Sequence, residues 1–448
     1  NITANSNNYG IYLYSSSSSN TLQNITASSN SRYGIYLLSS SSNTLQNITV
    51  KENQRCDIYF SPSSSSDCSN LFQNVTGSGD RPIEYYNYSV NLENKTLSEL
   101  ILCNASSSNI TNITISGSDT YKNNGLFVYY TDSSTFKDIN SSYNNDGIYL
   151  MASDSNTLRN ITANSNVGGI SLYSSDSNTL QNITANSNQW SGIFLTSSES
   201  NTIINVTVKD NGYYDLDFFP GNVADCNNRI ENITGSGDKP IEFYNYSVNI
   251  ENKILSGLIL CNADNSNITN VSIKGSENLN NNGLYIAFTD NSHFISVNSS
   301  YNYDGFNLRL SNSNIFTNIS ADNNYYGIYL RDPCNSNVFA NISASNNQYG
   351  IHLSSSNSNN ITDSAITSNS NYGIYIIGSA SDNNLFYNNL LNNTNNFYID
   401  SGADNYWNTT LNCSSGPNII GGPCIGGNYW TTPNGTGFSD NCSDSNGN

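Results

Sequence analysis

Apolar residues come in short alternating pulses along the whole chain. In Gly10-Ile11-Tyr12-Leu13-Tyr14 a period of two sends Ile11 and Leu13 to one face and Tyr12 and Tyr14 to the other, the pattern of a half-buried strand. In Thr21-Leu22-Gln23-Asn24-Ile25-Thr26 the apolar pair is Leu22 and Ile25, so a bend is needed between them. No segment carries a helical period. Asn-Ile-Thr recurs at Asn1, Asn24 and Asn47 and again at Asn160 and Asn182, and Tyr33-Gly34-Ile35-Tyr36-Leu37 repeats the first strand. This spacing of 22–23 residues, with two apolar pulses and Ser/Asn punctuation, predicts an all-β fold: a right-handed parallel β-helix solenoid. Like residues of successive coils then stack about 4.8 Å apart. Asn at the bends and Gly before the first strand suit positive φ.

A longer repeat overlies the short one. Asn74-Val-Thr-Gly-Ser-Gly-Asp80 and the residues after it reappear from Asn232 to Asp238 and beyond, an offset of 158 residues (232−74) that Cys68/Cys226 and Cys103/Cys261 share. The expected organisation is N-terminal coils over 1–73, a first module over 74–231, a homologous second module over 232–389 and a Cys/Trp/Gly-rich cap over 390–448. Each module departs from the short period before Cys103 or Cys261, where an inserted hairpin or a wider coil protruding from the rod is expected. The cap is needed because a solenoid must hide its last open strand edge.

The Tyr-Gly-Ile-Tyr-Leu…Ser-Asn-Thr-Leu-Gln-Asn pattern, closed by Gly426-Gly427-Asn428-Tyr429-Trp430, resembles the NosD-like (CASH-domain) parallel β-helix repeats. The resemblance covers nearly the whole chain. It implies the fold and a surface-protein setting of the archaeal type, and says little of activity, since this architecture carries lyases, glycosidases, adhesins and structural rods. The family's name-giving member is linked to copper delivery. A chain with one Met and two histidines, His293 and His352, departs from what a copper site needs.

Charge narrows the partners. With 15 Lys+Arg against 34 Asp+Glu, the net charge of −19 argues against nucleic acid and against anionic lipid headgroups. No apolar run is long enough to span a bilayer. The sequence opens on Asn1 in mid-pattern, as expected of a processed product or a piece of a longer chain. Among nine cysteines, Cys56, Cys68, Cys413, Cys424 and Cys442 sit in loops and are the disulfide candidates of an oxidising compartment, whereas Cys103 and Cys261 lie in apolar runs and read as buried thiols.

Several columns follow the repeat. About 26 Asn-X-Ser/Thr sequons point to N-glycans, with Asn24, Asn47, Asn74, Asn160, Asn182, Asn205, Asn232, Asn318 and Asn341 as regular acceptors. Asn20, Asn43, Asn156, Asn178 and Asn201 lack the hydroxyl residue and suit an internal amide ladder instead. An outward aromatic stripe comprises Tyr12, Tyr36, Phe127, Tyr149, Phe194, Tyr285, Tyr329 and Tyr375, suited to sugar stacking, to lateral contact between rods, or to plain cross-strand stacking. Asp132, Asp154, Asp176 and Glu199 form an acidic column. It reads first as a hydrated turn and second as a Ca²⁺ site; no motif compels a metal, and no cofactor is expected. For catalysis the nearest constellation is Arg309 and Arg331 with Asp304 and Asp332; an ordinary surface ion-pair cluster is the competing reading. Glu84 and Glu242 recur with the module, which duplication explains.

The sequence reading is therefore a non-enzymatic, extracellular, N-glycosylated building block of a cell-surface filament, sheath or S-layer. Its expected partners are copies of itself through the β-helix faces and covalent glycans. The alternatives are an adhesin that binds external carbohydrate and, after it, a polysaccharide lyase or glycosidase.

Overall fold

The computed structural model describes all residues except 15–16, 379–380, 401 and 443–448. The chain forms two compact units, Asn1–Thr234 and Gly235–Asn448, each a parallel β-helix. In the first, strands Thr21–Thr26, Thr44–Thr49 and Leu71–Thr76 pair in parallel, placing Leu22 over Leu45 and Ile25 over Ile48. Tyr9–Leu13, Tyr33–Leu38 and Cys56–Ser61 build a second face, with Ile35 over Ile58 and Leu37 over Phe60. The second unit has the same plan: one face runs from Pro240–Tyr244 to Phe397–Ile399, another from Asn249–Glu251 to Tyr429–Thr431.

Two devices make the coil. Asn24, Asn47 and Asn182 take φ of 55°, 54° and 57°, and this left-handed residue supplies the bend that turns both apolar side chains of each Leu-Gln-Asn-Ile segment inward. Inside the other turns, Asn residues stack as expected. Asn156 N–H donates to Asn178 Oδ1 and Asn178 N–H to Asn201 Oδ1, both at 2.8 Å, and all three side chains are buried. Such chains satisfy backbone donors that the turns would otherwise bury unpaired. The strand glycines do a different job from the one expected. Gly34 has ordinary φ, but a Cβ there would lie 2.6 Å from Asn53 Nδ2 and 2.7 Å from the Asp57 carbonyl, so glycine is required for close approach. Positive φ falls mainly on Asn and Ser.

The stretch before Cys103 is not a hairpin. Ile83–Tyr86 pairs in parallel with Glu99–Cys103, and Asn91–Leu97 with Asn109–Ile115, so it is a shortened coil of the same helix. Its counterpart in the second unit is also parallel, Ile241 pairing with Gly257. The shortened coil closes over a buried polar knot. Asp57 accepts from Ser78 N–H at 2.7 Å and from Asn124 Nδ2 at 2.9 Å, with Asn53 Nδ2 at 3.0 Å on its other oxygen. Glu99 lies fully buried beside it, one oxygen accepting from Ile58 N–H at 3.3 Å and the other without a hydrogen-bond partner.

Four cysteine expectations change. Cys68 pairs with Cys103, whose Cα is 5.3 Å away across the shortened coil, so Cys103 is not a free thiol and Cys56 is a buried one. Cys261 is disulfide-bonded as well. Cys413 pairs with Cys424, and Cys442 is free and exposed. Hydrophobic spacing marks burial but not which inward sulfurs meet. At the C-terminal end Trp407 stacks on Phe386 at 4.6 Å and lies 5.4 Å from Trp430, covering the last coils with rings.

Candidate functional site: the outward sheet face

Each six-residue strand of the Tyr-Gly-Ile-Tyr-Leu type turns positions three and five inward and carries positions one, four and six on the outer side. In the second unit, position one stacks Asp304, Tyr326, Tyr349 and Tyr372. Position four stacks Tyr285, Asn307, Tyr329, His352, Tyr375 and Tyr398, and position six places Arg309 beside Arg331. The rings form one continuous array: Tyr326–Tyr329 4.9 Å, Tyr329–His352 4.5 Å, His352–Tyr375 4.9 Å, Tyr375–Tyr398 5.1 Å. Burial among these neighbours pushes the Tyr326 and Tyr329 hydroxyls up.

A polar chain interrupts the array at one end. Arg331 Nε donates to Asn307 Oδ1 at 3.2 Å, and Asn307 Nδ2 donates to Asp304. The Arg331 guanidinium also lies 5.5 Å from the Tyr329 ring centre and 6.0 Å from that of Tyr285. Arg309 and Arg331 stack in register; Asp332 accepts from Arg309 Nε at 3.0 Å, and Asp304 accepts from Asn307 Nδ2. His352 is 5% exposed and neither ring nitrogen has a hydrogen-bond partner. Desolvation lowers its pKa to about 4, leaving a neutral imidazole at pH 7.

The residues of the expected aromatic stripe stack in segments. Tyr12 stacks on Tyr36 at 4.7 Å, and burial raises the Tyr36 hydroxyl to about 12. Phe127 is buried, Tyr149 and Phe194 are separated by Ser171, and Tyr329 and Tyr375 by His352. Sequence reasoning missed the second column, Tyr33, Tyr326, Tyr349 and Tyr372, and the polar members Asn307 and His352. Writing the strands in register, one coil under the next, would have shown both.

The nine regular sequon asparagines, Asn24, Asn47, Asn74, Asn160, Asn182, Asn205, Asn232, Asn318 and Asn341, all sit exposed at the bend with positive φ. Their amides bond from coil to coil: Asn74 Nδ2 donates to Asn47 Oδ1 at 3.0 Å, Asn182 to Asn160 at 3.1 Å and Asn341 to Asn318 at 2.6 Å. The acidic column forms a ladder too. Asp132, Asp154 and Asp176 each accept the next coil's backbone N–H at 2.8 Å, from Asp154, Asp176 and Glu199 respectively. These carboxylates are engaged along the helix axis rather than converging, and among the described residues no group of three His, Cys, Asp or Glu side chains could hold a metal.

The right-handed β-helix family model matches residues 1–98 and 99–255, more than half of the chain, and the family described as periplasmic copper-binding protein (NosD) matches residues 220–435. Copper does not fit the residues present. His352 is packed among tyrosines, His293 is exposed with Asn267 and Ile315 as strand neighbours, and the sole Met, Met151, meets the Tyr149 hydroxyl. Among curated proteins none matches significantly. Similar solved structures include the A-module of the Azotobacter vinelandii mannuronan C-5 epimerase AlgE6, at 12% identity and TM-score 0.30 over 81% of this chain and 90% of that one. Pectate lyase Pel9A is similar at 12% identity and TM-score 0.16 over 84% and 71%. The expectation of a non-enzyme is corrected: the two similar structures named here are an epimerase module and a lyase. Likenesses this distant assign no activity. What the matched family models and the parallel register establish together is kinship: the chain belongs to the right-handed parallel β-helix family and is related to its NosD branch.

Proposed function

We propose that the outward face of the second unit binds carbohydrate, and that the chain works outside the cytoplasm as a polysaccharide-handling surface protein. The observation that carries this is the array Tyr326–Tyr329–His352–Tyr375 joined to the Arg331–Asn307–Asp304 chain. Stacked rings offer flat apolar platforms for sugar faces, and the Arg331 guanidinium, oriented by the buried Asn307 amide, offers directional hydrogen bonds that fix a sugar's orientation. The disulfides support an oxidising location.

This reading displaces self-association as the leading one. Lateral packing of rods would use a uniform stripe, whereas here Asp304, Asn307 and Arg331 break it at one end and His352 interposes an imidazole within it. Glycan carriage is retained in a reduced form. Acceptors on neighbouring coils lie about 4.8 Å apart, closer than the width of a sugar, so an unbroken run of occupied sites is sterically excluded and sparse occupancy is proposed. The test is a glycan array probed with the full chain and with Tyr329→Ala and Arg331→Ala. Saturable binding of a polysaccharide family that weakens roughly tenfold in both variants supports the proposal. Binding unaffected by either substitution refutes it. The same samples report turnover, because Tyr329, His352 and Arg331 are also the group types that move protons beside a uronate.

A further inference from the structure

The first unit carries the same coils with a different surface. At the offset of 158 residues, Gly168 stands where the second unit has Tyr326, Ser171 where it has Tyr329 and Tyr173 where it has Arg331. Two ring positions are thus empty in one coil, while the coils on either side keep Tyr149 and Phe194 at the fourth position and carry Asp146 and Ser191 at the first. The result is a cavity of about 270 Å³. Tyr173, Trp190, Phe194 and Tyr213 wall it, and Asp146 and Asp217 line it as carboxylates. Phe194 stands edge-on to Tyr173 at 5.2 Å, Ser191 Oγ donates to Asp217 Oδ2 at 2.9 Å, and Asn145 Nδ2 donates to Asp146 Oδ2 at 2.8 Å. A Cβ on Gly168 would meet only Asp146 Oδ1, at 3.2 Å, so the hollow begins at that glycine's backbone.

We propose that this notch is a binding site for an organic ammonium ion, the group carried by amino sugars and by methylated amines. Four aromatic side chains around a small cavity present the negative faces that attract a desolvated cation, and two carboxylates supply the counter-charge. Nothing basic lines the cavity, so an anionic ligand would meet only repulsion. The volume holds one sugar ring or one choline-sized ion and excludes a folded peptide. Burial raises the Asp146 carboxyl to about 6 against the opposing pull of the Asn145 amide and the Arg55 charge, so occupancy rises as pH climbs through that value and the acid ionises. The proposal is independent of carbohydrate binding by the second unit, since no residue is shared.

The experiment is a titration of the full chain followed by tryptophan fluorescence, with Trp190, one of three tryptophans, as the local reporter. The probes are glucosamine, choline and glucose. Saturable change with glucosamine alone identifies an amino sugar, with choline alone a methylated amine, and with both the ammonium group itself. Each of these supports the proposal if glucose is silent. Asp217→Asn should weaken binding roughly tenfold or more, and Gly168→Tyr should abolish it by filling the notch at unchanged thermal stability. Glucose binding as tightly as glucosamine, no response to either cation, or binding that survives Gly168→Tyr overturns it.

Discussion

The two units hold the same strand register around different residues. Asp146 and Asp304 occupy one position, yet the next coil brings Gly168 and Ser171 in the first unit and Tyr326 and Tyr329 in the second. Both sheets are intact, because the inward Ile170 and Leu172 match Ile328 and Leu330 in kind and burial. Inward positions are fixed by packing and hydrogen bonding along the coil axis. Outward positions are free to be filled or emptied, and one filled and one hollow copy of the same coil are the outcome. A second contrast lies in the buried knot. Asp57 and Asp215 correspond, but fully buried Glu99 in the first unit corresponds to Gly257 in the second.

The largest expected effect comes from that buried acid. Burial raises both acids, but desolvation and then the Asp57 charge push Glu99 well above the carboxylate range, while Asp57 has the amide and N–H donors that favour an anion. The proton therefore sits on Glu99 in the folded state. A raised folded pKa means stability is full below the unfolded value near 4.5 and is lost as pH rises toward the folded value, at about 1.4 kcal/mol per pH unit. Glu99→Gln should remove that loss, so its gain in stability is larger at pH 7 than at pH 4. Denaturant titrations at the two pH values check it; equal gains at both would contradict the assignment.

Next comes the filled copy. Tyr329→Ala removes rings stacked on Tyr326 and His352 and should cost about 2 kcal/mol, read as a lower denaturant midpoint. The reverse change in the hollow copy, Ser171→Tyr, restores a ring between Tyr149 and Phe194 and should gain about 0.5–1 kcal/mol. A loss instead would mean the hollow is held open by strain the register does not reveal. An effect of similar size is expected at the outer bend. Asn182→Ala puts alanine at φ of 57° and should cost about 1 kcal/mol, whereas Asn182→Gly should be close to neutral.

These contrasts mark what the sequence made legible. A strict period revealed the strands, the Leu22/Ile25 bend and the buried Asn156–Asn178–Asn201 ladder, because every coil meets the same backbone demand. Three things were not legible for physical reasons. The Cys68–Cys103 pairing depends on the shortened coil, whose length breaks the period that would have aligned the two sulfurs. His352 joins Tyr329 only through strand register, 23 residues apart in sequence. The notch consists of missing side chains, and Gly168 and Ser171 read along the chain as ordinary punctuation.

The most direct test of the central claim, that the outward sheet face is the ligand surface, is hydroxyl-radical footprinting of the full chain with and without the polysaccharide it retains. The account predicts protection of Tyr326, Tyr329, Tyr349 and Tyr375, with the exposed Tyr143, Tyr246 and Tyr301 oxidised equally in both samples. Protection at those three tyrosines while the Tyr329 array stays unchanged would contradict it.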